Sequence, residues 1–416
     1  MSTNMNFDIV IIGAGPAGMA FACMLADSGL SIVIVEKQSL QQVAEPAVDG
    51  RDIAMTHQSL DILSRLGIWQ RFGEKNISPI REARVVDGDS PYSLNFDTSG
   101  DADEALGFLV ANHRIRKAVY EQTIEHSHIK LLTDTEVTHV STDVQKGYVT
   151  LANGDMIESS LVIAADTRFS ASRRIMGISA DMLDFGRSAI VCEMQHELPH
   201  NNVAFECFHY GRTLAILPMP GNISSAVITV PNQMAERISA MDKTEFSADI
   251  ENRLQHQLGK MKLVTKRFTY PLVAVHAKRF YSQRFALIGD AAVGMHPVTA
   301  HGYNLGLSGA EILSSEIINA INKQKDFGSD AVLQAYNFKH QQTTLPMFHG
   351  TNSVVGLFTN DSFPATLARK AVLRLSNNLP PIKWAIKRKL MDKHPLPMLP
   401  VPPVLGKLPG LKTLFG

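Results

Sequence analysis

Residues 7–36, FDIVIIGAGPAGMAFACMLADSGLSIVIVE, restrict the fold more than any other stretch of this 416-residue chain. A β-branched run enters a glycine turn, an amphipathic helix follows, and a second β-branched run ends on the acidic Glu36. This is a complete βαβ unit and predicts a Rossmann-like α/β domain. Gly13 allows the tight turn, Gly15 lets backbone approach a pyrophosphate, and Gly18 lets the helix pack on the sheet. Pro16 and Ala17 open the helix, whose unpaired N–H groups and dipole favour an anion at that end. Glu36, followed by Lys37, stands where a carboxylate accepts hydrogen bonds from ribose hydroxyls and repels a 2′-phosphate, so the expected ligand is FAD or NAD-like. Glycine turns also join strands to helices for purely structural reasons, but here the strands on both sides and the acid at the end are all present.

A second segment, 285–310, FALIGDAAVGMHPVTAHGYNLGLSGA, repeats the logic. A strand over Phe285–Ile288 runs into Gly289–Asp290, and a helix begins near Gly302. Asp290 is placed to accept a hydrogen bond from a polyol such as a ribityl chain. Backbone around Gly302, Tyr303 and Asn304 points a helix N-terminus at a flavin ring, where it stabilises negative charge. Standing alone, the segment reads by default as a Gly-Asp turn before an ordinary helix.

Taken together, GAGPAG, Glu36, and GD followed by Pro297 and the Gly302-Tyr303-Asn304 triplet resemble the FAD-dependent aromatic hydroxylases, the class A flavoprotein monooxygenases. Arg51, Ala54, Met55 and Ser59 are similar to the arginine-containing stretch that this family places beside the flavin. Leu109–Asn112, ahead of Ile115 and Val119, is similar to its second flavin-contacting segment, and Val137 falls where backbone lies against the adenine. GDAAVGMHPVTAHGYNLGLSGA resembles most nearly the ubiquinone-biosynthesis hydroxylases of the UbiH and UbiF group, in its UbiM, demethoxyubiquinol hydroxylase branch. The resemblance implies a bacterial enzyme that uses FAD and O₂, by way of a flavin hydroperoxide, to hydroxylate a polyprenylated phenol or quinol. Two departures stand out. Thr167 follows Asp166 where the family has glycine, which suggests a turn that needs no positive φ. Val293 and the pair Ala300–His301 replace residues beside the flavin ring. Asp166 and Arg173–Arg174 remain on the pyrophosphate side.

The rest of the chain supplies the second domain and a tail. Alternating runs such as SAIVCEM (188–194), TLAILPMP (213–220) and SAVITVP (225–231) predict a mostly antiparallel substrate sheet. The expected division is a discontinuous FAD domain over 1–75, 109–180 and 285–345, a substrate domain over 76–108 and 181–284, and a helical, Pro-rich tail over 346–416. His301 and Tyr303 are the candidate proton carriers, with His296 behind them. His196, His209 and Tyr210 stand near the substrate strands, where core or edge positions account for each better than contact with a phenol does. His196 and His200 flank a proline-interrupted loop that makes a poor metal site, so no metal is expected.

Forty Lys and Arg balance forty Asp and Glu, which argues against a nucleic-acid-binding body. The balance is a cancellation: 368–416 holds ten Lys and Arg and one Asp, a net +9, and the remainder is −9. Within that tail IKWAIKRKLM (382–391) is basic and amphipathic, suited to anionic lipid or an acidic partner, or equally to a solvated helix face. Cys23, Cys192 and Cys207 form no CxxC pair, which fits a reducing compartment. The first Lys or Arg is Lys37 and no long run is uniformly apolar, so the expectation is a cytoplasmic protein, peripheral at most at the inner face of the membrane. With no second GxGxxG, reduction falls to NAD(P)H docking transiently or to a protein donor. The rivals on the same fold are a prenyl-lipid reductase, a halogenase (although Trp69 and Trp384 are the only tryptophans) and a flavin-binding assembly component without turnover.

Overall fold

The computed structural model describes residues 4–87, 93–98, 104–209, 211–296 and 301–358. Strand Asn4–Ile12 is apolar and buried from Ile9 onward because it runs through the middle of a parallel sheet covered on both faces. The parallel order is Phe285–Leu287, Met156–Ala164, Asn4–Ile12, Ile32–Val35, Ile129–Leu132, with Ile9 opposite both Leu161 and Ile32. Tyr281–Ser282 adds an antiparallel edge, and Val137–Thr142 with Gly147–Leu151 forms a meander on Met156–Ala164.

Two glycines let the first turn close. Gly13 has φ +108°, and a Cβ there would lie 2.6 Å from the Ala165 carbonyl oxygen. At Gly18 a Cβ would lie 2.5 Å from the Gly13 carbonyl oxygen, so only glycine lets helix Pro16–Met24 sit this close to its own turn.

The second layer is a nine-stranded sheet, antiparallel except where Val203–His209 runs parallel to Glu82–Asp87. Strict alternation gives it two different faces. Ile190, Cys192, Phe205, Cys207, Leu214, Ile216 and Ile228 point one way, into a core shared with residues of helices Asn232–Ala240 and Lys243–Arg253. Glu206, Phe208, Ala215, Leu217 and Val227 point the other way, toward the parallel-sheet layer. A small sheet of Asp52–Met55, Ser78–Ile80 and Gly107–Ala111 is interleaved in sequence with strands of both large sheets and pairs with neither.

Helix Gly302–Asn322 packs on helix Pro16–Met24, with Gly306 meeting Gly289 and Ala17 at close range. The last described helix, Asp330–Phe358, begins earlier than the sequence suggested and runs through Pro346. A proline inside a helix removes one i→i−4 bond. Here Tyr336 donates to the Leu287 carbonyl at 2.6 Å and His276 pairs with Thr344 at 3.1 Å, which anchors the helix on the N-terminal side of that proline. The proline-rich and basic stretch beyond 358 lies outside the described residues. Among the described residues no helix is long and apolar enough to cross a membrane.

Candidate active site

One continuous cavity of about 960 Å³ starts at the glycine turn and ends on the nine-stranded sheet. Its size is that of a ligand site, roughly 300–1,000 Å³. Gly13, Gly15, Pro16, Ala17, Glu36, Lys37, Arg51, Asn112, Val137, Asp166, Asp290, Gly302 and Tyr303 all line it. Gly18, His301 and Asn304 do not. Pro297 lies outside the described residues.

At the turn, Glu36 Oε2 accepts from Ala14 N at 2.8 Å and Oε1 from Gln38 N at 2.9 Å. The carboxylate therefore fixes the turn, and each oxygen keeps a second lone pair. Gly15 behaves unlike Gly13 and Gly18: a Cβ there would find only the Ala165 carbonyl oxygen, at 4.0 Å. The protein's own packing does not require glycine at this position, so the space belongs to whatever fills the cavity.

Further along, Asp49 gathers the neighbouring groups. Arg51 donates to its Oδ2 from Nε at 3.0 Å and from Nη2 at 2.6 Å, and Asn112 Nδ2 donates to it at 2.8 Å. Burial pushes the Asp49 carboxyl up, but the Arg51 guanidinium and the Asn112 amide outweigh it and hold the group below its usual value. Tyr270, from the nine-stranded sheet, donates to the Asp49 carbonyl at 2.6 Å and lies under Arg51, so this knot also ties the layers together. Asp290 is paired with Arg168 at 3.1 Å. Asp166 Oδ2 accepts from Ser172 N at 3.3 Å, while its Oδ1 is buried with no hydrogen-bond partner. Thr167 is not among the residues with positive φ, as its replacement of glycine suggested.

The Asn304 side chain does work that its own segment does not reveal. Its Nδ2 donates to the Ala54 carbonyl at 2.9 Å, and its Oδ1 accepts from Ser59 Oγ at 2.7 Å and Thr56 N at 3.2 Å. The side chain is spent clamping segment 54–59 to the helix, and what faces the cavity there is the helix start, Gly302 and Tyr303. A Cβ on Gly302 would meet nothing within 4 Å.

The candidate proton carriers fare unequally. The Tyr303 hydroxyl is buried without a hydrogen-bond partner in the core near Cys23, and burial pushes its ionisation well above the ordinary phenol range. A phenol in that state is a poor proton donor near neutrality, and it is aimed away from the cavity that the residue's other atoms line. His301 is buried at the helix N-cap and off the cavity wall. His296 lines the cavity edge-on to Phe185, and burial together with Arg187 lowers its pKa to about 4, leaving it neutral. His196 is held by the Leu198 carbonyl and Ser224, and His200 by the Met219 carbonyl, so both are structural. The His209 side chain and Tyr210 lie outside the described residues.

Two acids that the sequence reading passed over line the same cavity. Asp52 is buried beside Ser225, and its carboxyl is pushed up to about 7. Glu206 sits on the sheet wall, and burial alone pushes it up to about 7. The available signal was a single acid in the alternating run VAFECFH, opposite in phase to Phe205 and Cys207.

The residues present fit FAD. The glycine cradle at Gly15, the unpartnered Asp166 oxygen and the N–H groups at the helix start near Gly302 lie along one cavity and suit a dinucleotide's anionic and hydroxyl groups. The FAD binding domain family matches residues 6–344. The chain belongs to this FAD-binding family. It is 45% identical to the ubiquinone hydroxylase UbiM of Neisseria meningitidis, over 93% of this chain and 85% of that one. It is 33% identical to the ubiquinone hydroxylase UbiL of Rhodospirillum rubrum, over 96% and 92%. Among solved structures it superposes on the p-nitrophenol 4-monooxygenase PnpA of Pseudomonas putida with a TM-score of 0.74 at 16% identity, covering 95% of this chain and all of the other. At that identity the superposition speaks for the fold, a flavoprotein monooxygenase fold.

Proposed function

We propose that this FAD-dependent enzyme hydroxylates the ring of a polyprenylated phenol or quinol in ubiquinone biosynthesis, of the demethoxyubiquinol type. The observation that carries the reading is the single cavity joining the dinucleotide turn to a sheet face of Phe208, Ala215, Leu217 and Val227, a surface suited to a flat apolar ring. When bound and reduced, FAD supplies the electrons that activate O₂ for insertion into that ring. The turn Gly13–Gly18 and the start of helix Pro16–Met24 would hold the pyrophosphate, with Glu36 and Lys37 at the ribose and Val137 beside the adenine. Arg51, Asn112, Asp166 and Asp290 would flank the middle of the cofactor. At the far end the helix start Gly302–Tyr303 favours negative charge. The sheet residues exclude water from the ring, and Val354 and Val355 offer an apolar wall to a prenyl chain.

The division into a FAD domain over 1–75, 109–180 and 285–345 and a substrate domain over 76–108 and 181–284 is part of this proposal. NAD(P)H or a protein donor provides the electrons. The +9 tail, 368–416, supports contact with anionic lipid at the inner membrane face or with an acidic partner. The test is to mix the reduced, FAD-loaded protein with O₂ and a short-chain demethoxyubiquinol analogue and to weigh the product. Gain of one oxygen atom supports the reading. A reduced double bond, or an unchanged analogue, overturns it.

A further inference from the structure

Glu206 is placed by the sheet in an unusual setting. Its strand, Val203–His209, sends Val203, Phe205 and Cys207 into the core behind the sheet, so Glu206 faces the cavity. In register beside it are Ala215 on one side and Val85 on the other, and Val227 follows beyond Ala215. No hydrogen bond or ion pair reaches its carboxyl among the described residues. The charged residues of the flanking strands are committed elsewhere: Arg84 to Glu82, and Arg212 to Asp249. Asp87 stands in register with Phe208 rather than with Glu206. Of the other titratable groups on the cavity wall, His296 is neutral, the Tyr303 hydroxyl is in the core, Asp290 is paired with Arg168, and Asp52, whose Oδ2 is also unpartnered, lies beside Ser225 on the small sheet's strand Asp52–Met55 rather than on the nine-stranded sheet.

Glu206 is half-buried on the cavity wall, and holding a carboxyl among alanine and valine without a protein partner is costly while packing gains nothing from it. Such a group persists where a ligand completes it. The ligand must be a hydrogen-bond donor on a body flat and apolar enough to lie against Phe208, Leu217 and Val227. A ring hydroxyl meets both demands.

We infer that Glu206 is the catalytic residue that receives the substrate's ring hydroxyl, accepting its hydrogen bond and then its proton. In this step the substrate O–H bond breaks, the proton passes to a Glu206 carboxylate oxygen, and the electron pair stays on the ring oxygen. No oxidant is consumed. The electron-rich ring that results is the better partner for oxygen insertion, and the proton returns to the ring oxygen afterwards. A base titrating near the working pH suits this task, since the correct protonation state and the driving force are then both available. The inference rests on the hydroxylase reading above.

The test is E206Q, which keeps the shape and cannot take a proton. The FAD-loaded protein is reduced anaerobically and mixed with O₂ and the short-chain demethoxyubiquinol analogue, with product mass and hydrogen peroxide read between pH 6 and 9. Wild type is expected to give product at a rate that falls below about pH 7. E206Q is expected to stay yellow and to consume O₂, with product reduced about 100-fold and the oxygen released as peroxide. Its residual rate rises about tenfold per pH unit, because the free ring hydroxyl, with an ordinary pKa of about 10, must ionise unaided. A second readout needs no turnover: oxidised wild type binds the analogue more tightly than its mono-O-methyl ether, and E206Q does not discriminate. Equal product from E206Q and wild type at every pH, or equal discrimination, overturns the role of Glu206 alone. If wild type makes no oxygenated product, the hydroxylase reading fails and takes this inference with it.

Discussion

Gly15 and Gly18 are three residues apart in one turn, yet the structure assigns them opposite consequences on substitution. Gly15 has φ −72° and ψ 166°, a backbone any residue adopts, and a Cβ there would approach nothing nearer than 4.0 Å. Gly15→Val should therefore leave the stability of the FAD-free protein within about 0.5 kcal/mol of wild type, or raise it slightly by stiffening the unfolded chain. At Gly18 a Cβ would stand 2.5 Å from the Gly13 carbonyl oxygen, in the same βαβ unit, and 3.0 Å from Ala165 Cβ, at the end of the neighbouring strand Met156–Ala164. Gly18→Ala should cost the FAD-free protein about 1–3 kcal/mol, the usual size of overpacking. FAD reverses the order. Ligand at 100 times its dissociation constant stabilises wild type by about 2.7 kcal/mol, and Gly15→Val should lose that gain because its side chain fills the cradle. Thermal unfolding of the three proteins with and without FAD, together with visible absorption, makes the comparison. If Gly15→Val melts lower than wild type without FAD, or still gains stability and colour with it, the assignment of that space to the cofactor is wrong.

Two further substitutions probe the clamp and the buried acids. Asn304→Leu removes one donor and one acceptor that serve Ala54, Thr56 and Ser59; unfolding in urea should show a loss of about 2–4 kcal/mol, and FAD affinity should fall as segment 51–59 loosens. Glu206 rises from 4.5 to about 7 on folding, so its favourable contribution is complete below the ordinary carboxylate range and is lost as pH climbs through 7. E206Q should consequently flatten the decline in wild-type stability between pH 4.5 and 7 by on the order of 2–3 kcal/mol, read as the difference between the two proteins' urea midpoints; an unchanged difference across that window contradicts the burial argument.

The proposed dinucleotide half of the site could be drawn from the sequence because its chemistry is local. Gly13, Gly15, Gly18 and Glu36 act through spacing within one βαβ unit, and Asp290 through a turn that directly follows its strand. What the sequence hid depends on pairings made across long separations. The Asn304 side-chain clamp was hidden because nothing in its own segment shows Thr56 and Ser59, which only the folded helix brings to its side chain. Tyr303 looked like an acid until its hydroxyl was seen in the core near Cys23. Glu206 carried no signal beyond its phase in an alternating strand. The face that phase selects is fixed only when Val203–His209 pairs with Arg212–Met219 and with the distant Glu82–Asp87. The proline at 346 punctuates the sequence but not the helix, since Tyr336 anchors the turns before it to the parallel sheet and Thr344 anchors them to the nine-stranded sheet.

The central claim is that one cavity brings reduced FAD and a polyprenylated ring together for oxygen insertion. Its most direct test is the mass of the product from the reduced, FAD-loaded protein, the short-chain demethoxyubiquinol analogue and O₂ carrying a heavy isotope. The account predicts one added oxygen atom bearing the label. Product without the label, or a hydrogenated analogue, contradicts it.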